Sequence, residues 1–206
     1  MITRAGEPRL GIVGFPPELS MYRSVLEQSG LHRQLRESWT FGPPAEDDPC
    51  RMAPLWRGIE AFLDESCGRR RSLVELFNML RQPPYGIRDG LLPIFLTAAI
   101  MAWQDEVALY ENGSFLPQMD VPVLERLMKS QEQFDIQRYR LGEVRSFLLE
   151  QYSALTTLSS GNGATSASTL RAVRSIVAVL KQLPPYSIAT KTVSAEAVAV
   201  REELLR

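Results

Sequence analysis

The sequence predicts a mainly α protein, a helical bundle carrying one short β-hairpin. Three observations lead there. Apolar residues recur at helical spacing along most of the chain, and 14 prolines with 13 glycines cut it into short segments. One Asn-Gly pair, Asn112-Gly113, separates two runs rich in Val, Leu, Tyr and Phe, the pattern of a tight hairpin. A chain of 206 residues is long enough for one domain, or two small ones, with a real core.

Glu18 to Gln28 follows Phe15-Pro16-Pro17 and reads as a helix with Leu19, Tyr22, Val25 and Leu26 on one face and Gly30 closing it. Residues 39–54 hold four prolines and Glu46-Asp47-Asp48, which predicts a long connector without regular structure. Leu55 to Ser66 is the next helix, with Leu55, Ile59, Phe62 and Leu63 inward and Gly68 at its C-terminal cap. Ser72 caps a helix bearing Leu73, Leu76, Phe77 and Leu80, which stops at Gln82-Pro83-Pro84-Tyr85-Gly86. Leu91 to Trp103 is the most apolar run. It is shorter than the roughly 20 residues of a membrane span and reads as a buried core helix.

The hairpin follows within Glu106 to Pro117, and Asp120 then opens a helix with Pro122 in its first turn and Leu124, Leu127 and Met128 facing the core. Helix, helix, hairpin, helix in succession makes residues 69–158 a winged-helix-like domain. Residues 1–68 form an N-terminal helical segment with its Pro-rich connector. Residues 143–158 repeat the amphipathic spacing, and 159–169 are small and polar throughout, as in a flexible linker. Residues 170–206 read as C-terminal helices. The last reaches Arg206 with no capping residue, as in a chain cut from a longer one.

Charge narrows the function. With 23 basic and 24 acidic side chains the net charge is −1, which gives no global electrostatic case for a nucleic-acid binder. Only three of the basic residues are Lys, an Arg excess most simply due to coding bias. Two Arg groups are close enough for phosphate contact: Arg69, Arg70 and Arg71, and Arg138, Arg140 and Arg145 around Tyr139. The helix that would enter a DNA groove, Leu91 to Trp103, has no basic residue, and Glu106 and Glu111 make the wing acidic.

Nothing in the sequence assembles a reaction centre. His32 lies just past a helix end and reads as a cap or surface histidine. Arg51 could lower the thiol pKa of Cys50, yet without a second motif an inert thiol is the expectation. Gly161-Asn162-Gly163 lacks the strand and Lys of a phosphate loop, and Gly11 to Gly14 lacks the spacing of a dinucleotide fingerprint. Catalytic, cofactor and metal residues are therefore expected to be none, and the chain is not read as an enzyme. Two cysteines, Cys50 and Cys67, and no signal-peptide layout fit the cytoplasm.

Three stretches resemble a known family: PPYGIRDGLLPIFLTAA, EVALYENGSFLP and VLERLMKSQEQFDIQRY, with LPPYSIATKTVSAEAVAVREELL near the end. They are similar to a helical, winged-helix-like accessory region of very large bacterial ATP-binding proteins of defence and mobile islands, akin to the ATPases of BREX-type phage exclusion. The match covers roughly residues 72–206. The resemblance implies an accessory module that follows an ATPase core. It carries over no catalytic residue, because the Walker lysine and Mg²⁺ ligands belong to that core.

The function expected is thus a non-catalytic helical module of a larger ATP-dependent, phage-defence assembly, without cofactor. It would act through contacts with a protein partner or the rest of the ATPase, or with a second copy of itself. Its expected surfaces are Phe115 and Leu116 on the hairpin edge and Leu204 and Leu205 on the last helix. The alternative is a nucleic-acid-binding winged-helix-type module or regulator using the two Arg groups.

Overall fold

The computed structural model describes residues 1–139 and, beyond them, Leu170, Arg174, Val177, Tyr186, Thr190, Ser194 and Val198. The helix expected at 143–158, the linker at 159–169 and most of the C-terminal helices expected at 170–206, Leu204 and Leu205 included, lie outside the described residues.

Two 3-10 turns, Ile2–Arg4 and Pro8–Gly11, lead into helix α1, Pro17–Met21, which continues as a π-helical stretch over Tyr22–Glu27. The four residues expected inward, Leu19, Tyr22, Val25 and Leu26, are all buried. Gly30 ends the helix at φ +72°, a left-handed conformation that costs a glycine little. Strands β1, His32–Leu35, and β2, Ser38–Phe41, then form an antiparallel hairpin. Its β2 occupies the start of the segment expected to be structureless; the rest of the connector, from Gly42 to Met52, has no helix or strand. Asp48 organises that connector, accepting hydrogen bonds from the backbone N–H of Cys50 and Met52 at 2.8 and 2.5 Å.

Helix α2, Ala53–Glu65, buries Leu55, Trp56, Ile59, Phe62 and Leu63. A two-residue strand β3, Arg71–Ser72, precedes α3, Leu73–Arg81, whose first turn is capped by the Ser72 hydroxyl accepting from Val74 N–H at 3.2 Å. Helix α4, Leu92–Ala102, is buried through its middle, from Phe95 to Ile100. The hairpin is where the Asn-Gly pair placed it: β4, Val107–Glu111, and β5, Ser114–Leu116, with Asn112 and Gly113 at φ +50° and +78°. Helix α5, Val121–Lys129, starts at Asp120, whose carboxylate accepts from Val123 N–H at 2.9 Å. Asp120→Ala is expected to cost about 1 kcal/mol through the lost cap, read as a lower midpoint in urea at unchanged slope.

The mainly α expectation is wrong. The described residues hold five α-helices and six strands in two antiparallel sheets, so the class is mixed α and β. The decisive addition is β6, Phe134–Arg138, which lies between β3 and β4 in the order β3-β6-β4-β5 and pairs with β4 along all five residues. The succession α3, α4, hairpin and α5 is present, but the sheet it joins is centred on a strand that the pattern did not include.

Alternation on β4 shows how the layers stack. Val107 and Leu109 enter the main core, a continuous cluster running from Leu10 to Ile136, while Ala108 and Tyr110 face the other way and meet Leu170 and Phe115. Four consecutive residues of β4 are therefore buried, with helices on one side and the region of Leu170 on the other. Arg174 fastens that outer layer by donating to the carbonyls of Gln104 at 2.6 Å and Val107 at 3.1 Å.

Candidate interaction surfaces

The arginines expected to meet phosphate are mostly turned inward on the protein itself. Arg71 pairs with Glu65 and, at 2.7 Å, with Glu75, and lies 3.9 Å from the Phe62 ring centre. Arg70 stacks 3.7 Å over Tyr110 and donates to the Gly113 carbonyl at 2.9 Å, bracing the hairpin turn. Arg69 is exposed. Arg138 is only 4% exposed and bridges Asp64 and Glu106, each at 2.6 Å, with the Trp103 ring 5.3 Å away. Arg140 and Arg145 lie outside the described residues. Of the six, Arg69 and Arg70 are the exposed pair, and the others described would have to exchange a carboxylate for a phosphate.

The wing acids are engaged in the same way. Glu111 takes both forks of Arg126, at 2.7 and 2.9 Å, and the hydrogen bond from that guanidinium holds its carboxyl below the usual range. Glu106 belongs to Arg138. Phe115 and Leu116 are half-buried: Leu116 packs on the main core, Phe115 against Tyr110 with ring centres 5.8 Å apart. A hairpin edge used this fully inside the fold offers little apolar area to a partner.

Other candidates also change character. His32 is no surface group; it is 1% exposed, with Trp39, Phe41 and Tyr22 packed about its ring. Burial, and then Asp48, push the Cys50 thiol up, opposite to the lowering that Arg51 suggested. Among the described residues no group of three or more His, Cys, Asp or Glu is placed to hold a metal ion, and no helix is long and apolar enough to cross a membrane.

What the sequence reading missed is Val13 and Phe15, exposed by 89% and 88%. They sit on a short loop fixed at both ends, by Leu10 at 7% exposure before it and Leu19 at 3% after it. Arg9, Leu10 and Gly11 adopt three consecutive left-handed conformations, at φ +53°, +54° and +67°, and so turn the chain outward. Arg4 holds the turn by donating to the Gly11 carbonyl at 3.0 Å. Glycines at 11 and 14 beside Phe15-Pro16-Pro17 were the visible signal of a shaped loop; that its apolar residues face solvent was not visible.

No family model, curated protein or solved structure matches the chain.

Proposed function

We propose that the chain is a non-catalytic, mixed α/β interaction module of a larger ATP-dependent assembly, one of the phage-defence kind, docking through Val13 and Phe15. The observation that carries the docking role is the pair of large apolar side chains held almost wholly in solvent on a loop whose ends are anchored. Isolated exposed apolar residues are ordinary. Two in three positions, on a backbone turned outward against left-handed strain, are the form of a knob for a partner's apolar pocket. The ATP-dependent setting rests on the resemblance. The unbridged thiols Cys50 and Cys67 support a cytoplasmic one.

Burying the Phe15 side chain in a pocket is worth about 2 kcal/mol, so Phe15→Ser is expected to weaken docking roughly thirtyfold. Its own stability should move by less than about 0.5 kcal/mol, because the side chain contributes almost nothing to the fold. The test is a photo-crosslinking amino acid at position 15 in the host cell, followed by affinity measurement on the captured protein. An adduct to one ATP-binding protein, lost on competition with unlabelled chain, supports the reading. Adducts no different from those of a control position on the exposed face of α2 would overturn it. The alternative, a nucleic-acid module, has the exposed Arg69 and Arg70 in its favour; it requires salt-dependent binding to DNA or RNA that Arg69→Ala with Arg70→Ala abolishes.

A further inference from the structure

His32, the chain's one histidine, joins the N-terminal strap of residues 1–12 to the body of the fold. Its Nε2 lies 2.8 Å from the Ala5 carbonyl oxygen. A carbonyl only accepts, so Nε2 carries the hydrogen, and the neutral Nδ1 accepts the Tyr22 hydroxyl at 2.9 Å. Trp39 stacks on the ring at 5.2 Å, Phe41 tilts against it at 4.6 Å, and Tyr22 meets it edge-on at 5.7 Å. Every polar position of the neutral ring is used, and the ring itself is out of solvent.

The same cage has no place for the charged ring. A proton on Nδ1 would face the Tyr22 O–H, which would have to turn its hydrogen away inside a site where Tyr22 is 3% exposed. The charges around it do not help. The strap brings the Met1 ammonium and Arg9, both positive, and Arg4 with Glu7, which lie together beside Gly11; the helix beside it brings Arg23 and Glu27, which pair with each other at 3.9 Å. On its own strand Arg33 is turned to the carbonyls of Gly30 and Pro43. Helix α4, packed against β2, has no ionisable side chain. The strap is seated by Leu10 in the main core, with Met1, Ala5 and Ile12 packed against that core, while Arg9 and Leu10 hold left-handed backbone, so the His32 bond works beside these apolar contacts.

We infer that His32 is a proton-operated latch: its neutral ring holds residues 1–12 on the β1–β2 hairpin, and its protonation releases them. Burial, opposed by the Ala5 carbonyl and aided by the Met1 ammonium, places its pKa below the ordinary 6.5. In the released strap the ring returns to the ordinary value, so the released form takes up the proton first. The latch is therefore at full strength above pH 6.5 and weakens as pH falls, by up to tenfold per unit between the two pKa values. Because the strap leads straight into Val13 and Phe15, release also unsets the docking loop, a consequence that rests on the function proposed above.

The test uses the full chain in NMR, without a partner, at about pH 7.5 and pH 5. The backbone amides of residues 2–12 are expected to lose their order in step with the titration of the His32 ring, while those of α2 and α4 keep theirs. His32→Gln retains an N–H for Ala5 and cannot charge, so its strap should be ordered at both pH values. Tyr22→Phe removes the donor to the neutral ring and should move the transition to higher pH, which decides the matter even if His32→Gln fails to fold. A wild-type strap equally ordered at both pH values, or a Tyr22→Phe transition that does not move, overturns the latch. If the latch titrates as expected while a captured partner binds equally at both pH values, the latch stands and the docking role of Phe15 falls.

Discussion

Replacing Arg138 with Met is expected to lower stability by about 3 kcal/mol, the largest single-residue loss from any charged position described. The guanidinium is 4% exposed, with one N–H aimed at Asp64 and others at Glu106, all within 2.7 Å. Removing it leaves two carboxylates that were neutralised by one cation. Both are partly in solvent, at 40% and 42% exposure, so they regain water and the loss stays at the low end of the range for a broken buried pair. The backbone bond from Arg138 N–H to the Ser66 hydroxyl, at 2.9 Å, survives the change, so β6 keeps its register. Arg138→Lys should recover only part of the loss, since a single ammonium does not span both acids. Urea denaturation at constant slope measures it. A loss under about 0.5 kcal/mol would mean the triad is neutral in the folding balance and leave Arg138 open to a role outside the fold.

That arginine also explains why the sheet was hard to read. Phe134, Ile136 and Arg138 alternate inward, and all three are buried. The two-residue period of a strand is present, but it ends on a charged residue that a sequence reading assigns to solvent. What makes Arg138 an inward residue is Asp64 on α2, 74 positions earlier, a fact of tertiary structure. The β1–β2 hairpin was hidden for another reason. Its turn, Arg36-Glu37, has neither Gly nor Asn, and Arg36 takes the positive φ of +57° itself. The helices, by contrast, are written locally: spacing gives the buried face, and Ser72 and Asp120 mark two starts with the hydrogen bonds the structure contains.

The surfaces follow the same division. Phe115 and Leu116 read as a free hairpin edge, and they are used inside the fold because Leu116 packs on the main core and Phe115 on the cluster of Ala108, Tyr110 and Leu170 on the other face of the sheet. Val13 and Phe15 look like any core residues in sequence. Their exposure comes from the left-handed turn at Arg9 to Gly11, which local propensity favours at Gly11 but not at Arg9 or Leu10, and which the Arg4–Gly11 bond braces. His32 itself reads as a cap because its partners, Tyr22 and Ala5, lie 10 and 27 positions away.

Phe134→Ala is expected to cost about 4 kcal/mol, more than any surface change and enough to unfold much of a marginally stable domain. Phe134 is fully buried at the head of β6, opposite Glu111 on β4. Beyond the cavity, the change loosens the strand that holds the sheet together. β3 pairs with β6 alone, so a weakened β6 frees the start of α3 from β4 as well. Leu170→Ala makes the useful comparison. Among the described residues its cluster holds Ala108, Tyr110 and Phe115 besides itself, much smaller than the main core, and a leucine leaves a smaller cavity than a phenylalanine, so about 2 kcal/mol is expected. Chemical denaturation of both variants, followed by tryptophan fluorescence and by far-UV circular dichroism, separates two arrangements. A large loss at Phe134 with coincident transitions marks β6 as the centre of one cooperative unit. A loss near 1 kcal/mol would make it an addition to a hairpin that folds without it, with α3, α4, the hairpin and α5 as the folding unit.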